Sequence, residues 1–343
     1  MQSANPARLA LDVESGPNIG YVMSDEQFPI TQLVEIGAAA EMAGFDAVWS
    51  SDHFQPWQDN EGHSAFAWLT LAAVGQRTQR VVMGTGVTVP TYRYRPAIVA
   101  QGFASLGQLY PGRIFLGVGT GEAINEQAAT GEWGGYAERA ERMVEAIEVI
   151  RKLWTGEVID YQGKYYTLVA AKLYDLPSQP VPIYVAAGGK QSMSLAGKWG
   201  DGLITDSGSA MKPELRAAFE EGARSASKDP ARMPIIAEAW AIVGNEDEAR
   251  KYARLWRFAP RSYKNYTDNP DPRDIQRQAE QDVPLEEVYQ GWTVSQDPKD
   301  HVEALKRLID GGLTTLFVHS PQEDQQMVID FFGKQVLPEL RSR

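Results

Sequence analysis

The chain has 343 residues, 43% of them hydrophobic and 23% charged, with a formal net charge of -12; it can bury a large core, and its sign is wrong for a nucleic-acid or anionic-membrane surface. It contains no cysteine, which excludes disulfides, thiolate nucleophiles and Cys-ligated metals together. No run of about eighteen apolar residues is present to span a bilayer, and Met1 to Gly16 lacks the charged and apolar regions of a signal peptide, so residues 1–17 read as a loose tail, or the remnant of a leader, on an otherwise cytoplasmic protein.

Short β-rich runs alternate with longer helical patterns. Strands are predicted at Ile19–Met23, Ala47–Ser51, Val81–Thr85, Ile114–Val118, Pro182–Ala186, Gly202–Thr205, Ile235–Ile242 and Thr314–Val318. Helices are predicted at Thr31–Ala43, Ala65–Val74, Ala97–Leu106, Tyr136–Leu153, Met211–Ser225, Glu246–Trp256, Lys299–Ile309 and Gln325–Phe332. Eight βα units with no Ser/Gly linker and no charge block predict an α/β fold, one TIM (β/α)8 barrel domain over residues 18–343. Two segments break the alternation. Glu157–Leu168, with Val158, Tyr161, Tyr165 and Tyr166 about a Gln-Gly turn, reads as a β-hairpin. The Pro- and charge-rich Ala259–Pro284 reads as a long insertion of the kind that forms lids or interfaces.

In such a barrel the residues just past each strand gather at one mouth, where catalysis takes place. Those positions hold Ser24, Asp25 and Glu26, then Asp52 and His53, Gly86 to Thr88, Gly119 to Glu122, Gly188 and Gly189, Asp206, Trp240, and His319 with Ser320. So many carboxylates and imidazoles exceed what solvated loops require, which points to an enzyme. Asp52 alone would read as a helix or turn cap. His53 beside it has the pKa range of a general base at neutral pH, and the aromatic Trp57 four residues on could wall a reacting centre. His53, His63 and Glu61 imitate a metal site but lack the His-Glu-x-x-His register, so no metal is expected. Of two Gly-rich turns, Gly117–Glu122 is the weaker phosphate cradle. Ala186-Ala187-Gly188-Gly189-Lys190 is the better one, since bare backbone at a helix N-terminus can meet an anion and Lys190 adds charge.

Ser51-Asp52-His53-Phe54-Gln55-Pro56-Trp57, Thr91-Tyr92-Arg93-Tyr94-Arg95-Pro96, Tyr110-Pro111-Gly112-Arg113, Gly119-Thr120-Gly121-Glu122 and Ala187-Gly188-Gly189 together resemble the luciferase-like barrel family, in its coenzyme F420-dependent dehydrogenase branch. The resemblance runs from about Asn18 to Leu340, and Trp57–Ser64, Asn125–Thr130 and Leu255–Phe258 are more similar to hydroxymycolic acid dehydrogenases than to sugar-phosphate enzymes. It implies hydride transfer between an alcohol carbon and the deazaflavin F420, with a homodimer as the assembly. By this similarity His53 is the base, Asp52 orients it and touches the cofactor, Trp57 stabilises the reacting complex, Glu122 handles a proton at the ring, and Glu26 and Asn125 complete the pocket. The cofactor would rest on Gly86, Val87 and Thr88, with a cis peptide at Gly86–Val87, and on Ala187, Gly188, Gly189 and Lys190.

One departure bears on substrate. The phosphate-binding positions of the sugar-phosphate branch read here as Asp206, Ser209, about Tyr266, and Gly291, with Lys264 nearby. Asp206 would repel a phosphate, so a non-phosphorylated alcohol is expected, with Asp206, Ser209, Trp240, Trp256 and Trp292 lining its pocket or, for the tryptophans, packing as core. Competing readings are a sugar-6-phosphate dehydrogenase, an FMN-dependent monooxygenase on the same barrel, and a cofactor-binding barrel without catalysis.

Overall fold

The structure is a computed structural model that describes residues 11–14 and 16–341. Its strands are β1 (Asn18–Val22), β2 (Ala47–Ser50), β3 (Val82–Thr85), β4 (Ile114–Val118), β5 (Ile159–Gln162), β6 (Thr167–Ala171), β7 (Ile183–Ala186), β8 (Gly202–Thr205), β9 (Ile235–Val243), β10 (Thr293–Ser295) and β11 (Thr315–His319). The parallel order β9-β11-β1-β2-β3-β4-β7-β8 closes through a β8–β9 pairing into an eight-stranded barrel. The eight expected strands match these within a residue or so. β5 and β6 form the antiparallel hairpin expected near 157–168.

Near-continuous apolar runs make these strands because both faces are covered. Val22, Ala47, Trp49, Phe115, Tyr184, Ile204, Ile236 and Phe317 fill the barrel's inside, with Trp49 stacked on Phe317 at 4.4 Å. Leu11 is buried among them, so the tail reading fails at that residue; residues 1–10 and 15 lie outside the described residues. Large rings inside a barrel need bare backbone opposite. A Cβ on Gly20 would lie 2.5 Å from the Phe317 ring. One on Gly117 would overlap the carbonyl oxygen of Thr85, so β3 and β4 approach here more closely than any side chain permits.

The expected insertion is longer and more ordered than its Pro content suggests. After the helix Glu246–Ala253 the chain runs through single turns at Ala259–Arg261 and Ser262–Tyr266 into helices Pro272–Asp282 and Leu285–Tyr289, then β10, which pairs with the far end of β9. Proline here starts a helix instead of breaking one: Pro272 stands in the first turn, where its missing N–H costs nothing. Ile275, Ala279, Val283 and Val288 pack with Trp256, Phe258 and Tyr266 against Trp57 and Ile124, forming a second apolar cluster over the mouth.

Because Gly117 sets the β3–β4 approach, Gly117→Ala should destabilise the fold by about 1–3 kcal/mol through overpacking. Urea unfolding of the variant beside the parent protein measures it.

Candidate active site

The β2 strand delivers Asp52 into a buried pocket where four donors converge on its two oxygens. Thr88 Oγ1 (2.6 Å) and Trp68 Nε1 (3.0 Å) donate to Oδ2, and Tyr94 OH (3.1 Å) and Arg93 (3.1 Å) to Oδ1. Arg93 also donates to the Asp52 carbonyl at 2.6 Å. Asp52 therefore does not hold the His53 ring as expected: its oxygens are committed to the scaffold. Glu126, fully buried, closes the far side of Arg93 by accepting its backbone N–H at 2.8 Å and lying 3.5 Å from its Nε. Burial pushes the Glu126 carboxyl up to about 7, against the lowering contacts from Arg93.

His53 is oriented by its own loop. Its Nδ1 lies 3.2 Å from the Gln55 carbonyl. A carbonyl only accepts, so Nδ1 carries the hydrogen and Nε2 keeps the lone pair of a base. Nε2 faces Glu26 Oε1 at 3.9 Å, and the Trp57 ring lies 6.0 Å away, centroid to centroid. Trp57 is itself stacked on Phe258 of the insertion at 4.8 Å. Asn125 Oδ1 accepts from the Phe54 N–H (2.8 Å) while its Nδ2 donates to Glu122 (3.3 Å), so one amide fixes the β2 loop against the β4 loop. His53, Glu26, Trp57, Glu122 and Asn125 are thus brought together as expected.

The Gly86–Val87 peptide is cis. Thr88 follows it, pinned by a backbone bond to the Gly117 carbonyl at 2.9 Å. Across the mouth, Ala187 leads into Gly188 and Gly189, which precede the helix Lys190–Trp199, and a Cβ on either glycine would meet nothing closer than 3.9 Å. The Ser192 hydroxyl accepts from both glycine N–H groups, at 3.3 and 3.0 Å, so an anion there competes with a serine already in place. A flat ring against Gly86–Thr88 with an anionic tail toward Gly189 and Lys190 fits this open, bare-backbone cradle.

The remaining wall is only partly legible in sequence. Trp256 is core, its indole N–H donating to Gln27 at 2.9 Å, whereas Trp240 and Trp292 are partly exposed and stacked at 5.2 Å. Trp240 in turn stacks on buried His319 at 3.8 Å. His319 Nε2 shares a 2.8 Å hydrogen bond with Ser24 Oγ, and its Nδ1 lies 3.6 Å from Glu238. Glu238 is hidden inside an apolar strand, and only the period-two alternation of β9 could have placed it on the inner face with Trp240. Asp206 is exposed at the rim and caps its own turn through the Ser209 N–H at 2.7 Å; Ser209 is buried behind it. Tyr266 is buried in the insertion core and does not face substrate. Its neighbour Tyr263 reaches toward the mouth, with most of the residue exposed. The protein mass around the mouth, then the negative charges of Glu122, Glu238 and Asp206, push that hydroxyl above the usual tyrosine range.

Comparison with known proteins agrees with this geometry. The model of the luciferase-like monooxygenase family matches residues 12–315. The chain is 51% identical to the F420-dependent hydroxymycolic acid dehydrogenase of Mycobacterium tuberculosis over 94% of its own length and 88% of that protein's. It is 41% identical to the F420-dependent glucose-6-phosphate dehydrogenase 2 of Rhodococcus jostii, over 94% and 98%. Among solved structures, an F420-dependent secondary alcohol dehydrogenase in complex with an F420–acetone adduct superposes with a TM-score of 0.89 at 36% identity, covering 95% of this chain and 99% of that one. The chain belongs to the luciferase-like monooxygenase family, among relatives of its F420-dependent dehydrogenases.

Proposed function

We propose that the protein is a coenzyme F420-dependent dehydrogenase that oxidises a non-phosphorylated, secondary alcohol, or reduces the matching ketone, with His53 as the general base. The carrying observation is the His53 geometry: Nδ1 lies 3.2 Å from the Gln55 carbonyl, which only accepts, so Nε2 is left as a lone pair 3.9 Å from Glu26. Val87, Thr88, Gly188, Gly189 and Lys190 would hold the cofactor, and the deazaflavin would supply a hydride-accepting carbon where a flavin has N5, a replacement that makes it react poorly with oxygen. Its hydride chemistry, and the dehydrogenase names of the relatives at 41% and 51% identity, favour this over an FMN monooxygenase.

An alcohol gives up its proton most readily as hydride leaves its carbon, so base and acceptor must flank one carbon. His53 takes the hydroxyl proton, Trp57 excludes water from that side, and Glu122, held by Asn125, would exchange a proton at the ring. Substrate class follows from charge. The charges of Glu122, Glu238 and Asp206 all act on the Tyr263 hydroxyl, and Tyr266 is turned into the core. A phosphate would meet these carboxylates where the sugar-phosphate branch places its cations, since those positions hold Asp206, Ser209, Tyr266 and Gly291 here, and charge-assisted bonds carry most phosphate affinity. Trp240 and Trp292 offer an apolar wall instead.

Large apolar side chains exposed on two adjacent helices support a homodimer. Phe66, Leu69 and Ile98 lie on or beside Ala67–Arg77 and Pro96–Leu109, with Phe66 edge-on to Tyr94 at 6.1 Å. Monomers rarely leave such a patch open.

Incubation with oxidised F420 and a panel of isopropanol, larger secondary alcohols and glucose 6-phosphate should bleach the chromophore with the neutral alcohols only; turnover of the sugar phosphate overturns the substrate assignment. His53→Gln should lower kcat by roughly 10²–10⁴-fold without abolishing F420 binding measured by fluorescence quenching. Light scattering coupled to size exclusion should give twice the chain mass, falling to one chain for Leu69→Asp.

A further inference from the structure

Glu61 has no part in the site described so far. It ends the single turn Asp59–Glu61 in the His53 loop, is 5% exposed, and accepts the Gln58 N–H through Oε2 at 2.7 Å. Its other oxygen, Oε1, is buried without a hydrogen-bond partner. Glu26, 3% exposed, presents the same pattern: Oε2 is buried and unpartnered while Oε1 faces His53 Nε2 at 3.9 Å. The two loops are joined at this point, since the His63 N–H donates to the Glu26 carbonyl at 2.9 Å.

Two buried carboxylates that feel each other cannot both ionise without large cost. Burial first, and the Glu26 charge second, push the Glu61 carboxyl well above the usual carboxylate range, against the lowering contacts of the Gln58 and Trp57 N–H groups. Among the described residues no lysine or arginine pairs with either glutamate. The insertion meets this loop through the Arg254 carbonyl, which accepts from Gln58 at 3.0 Å, rather than through a guanidinium. Asp25, next to Glu26, is occupied by Ser50 Oγ (2.6 Å) and the Ser51 N–H (3.0 Å). His53 is left as the basic group facing the pair.

We infer that Glu26 and Glu61 share one proton and together form the acceptor that clears the substrate's proton from His53. The inference rests on the reading of His53 as the base. The alcohol O–H proton passes to Nε2 as the carbon gives up hydride to the deazaflavin. The Nε2–H bond then breaks as an O–H bond forms on Glu26, which leaves two neutral carboxyls in a buried setting that favours them. His53 is neutral again, and the added proton leaves to water when the product departs. Glu26 is the group that touches the base; Glu61 acts through Glu26 as a positioning residue.

Glu61→Gln tests this, because the amide oxygen can still accept the Gln58 N–H but the shared proton is gone. An infrared difference spectrum between parent and variant at neutral pH, without cofactor, should show a lost carboxylic-acid C=O band. A carboxyl raised in the folded state contributes stability that is complete below its unfolded pKa and is lost as pH rises through its folded pKa. Thermal stability of the parent should therefore decline toward alkaline pH, and that of Glu61→Gln should decline less. In turnover, a fully charged Glu26 then stabilises the imidazolium, so the acid limb of kcat/KM for alcohol oxidation should move up by roughly half a pH unit or more. Glu61→Asp should restore the limb in part. An unchanged infrared band overturns the shared proton, and a lost band with an unmoved acid limb overturns its coupling to the base. Full activity in His53→Gln would instead overturn the function assigned to His53 while the infrared result stands on its own.

Discussion

The buried carboxylate of Asp52 is the constraint on which the mouth of this barrel is built. Four donors from three separate segments meet on it: Trp68 from the helix after β2, Thr88 from the end of β3, and Arg93 and Tyr94 from the loop beyond. A charge taken out of water is tolerated only when its lone pairs are filled, and removing one partner of such a pair costs about 3–5 kcal/mol. The energy that keeps Asp52 paired therefore also fixes where the backbone turns toward His53 and where Thr88 supports the cradle. Arg93 carries the constraint further, to Glu126 and so to the β4 loop.

Cover from above comes from the insertion, and it is specific rather than merely apolar. Gln58 accepts from the Phe258 N–H at 2.9 Å while its own amide donates to the Arg254 carbonyl at 3.0 Å, and Gln55 reaches the carbonyls of Ile124 and Pro270 at 3.0 and 3.1 Å. The His53 loop is thus clamped between scaffold below and insertion above, with Trp57 stacked between. A loop so held presents the His53 imidazole in one geometry, and a fixed geometry is the condition under which proximity contributes to rate.

How much of this is legible in the chain depends on the range of the forces concerned. The eight strands are readable because β-branched and apolar runs between Gly and Asn turns are local signals, and the rim residues follow from the rule that strand ends converge. His53, Trp57, Glu122 and Asn125 come with the loop motifs. The partners are not readable. That Asp52 spends its oxygens on Thr88 and Arg93, about forty positions away in the chain, and that Glu61 is buried rather than solvated, are consequences of packing across loops. The insertion reads as a loop because Pro272 and Pro284 look like breakers, whereas each stands just at a helix start. Tyr263 and Tyr266 show the same limit at single-residue scale: three positions apart, one faces the mouth and one the core.

The charge balance of the mouth decides what chemistry it can host. Asp52 is paired with Arg93, and burial pushes the Asp25 carboxyl well above the usual carboxylate range while its oxygens accept from Ser50 and Ser51. The charges of Glu122, Glu238 and Asp206 act together on the exposed Tyr263. His319, stacked under Trp240 and hydrogen-bonded to Ser24, lies within 3.6 Å of Glu238 and gives that side a nearby imidazole. One half of the mouth is therefore a paired, rigid frame around His53, and the other a polar-acidic and aromatic wall. The same asymmetry explains why the anion-compatible cradle of Gly188, Gly189 and Lys190 sits at a helix N-terminus on the rim, where the positive end of the helix and not the wall supplies the charge.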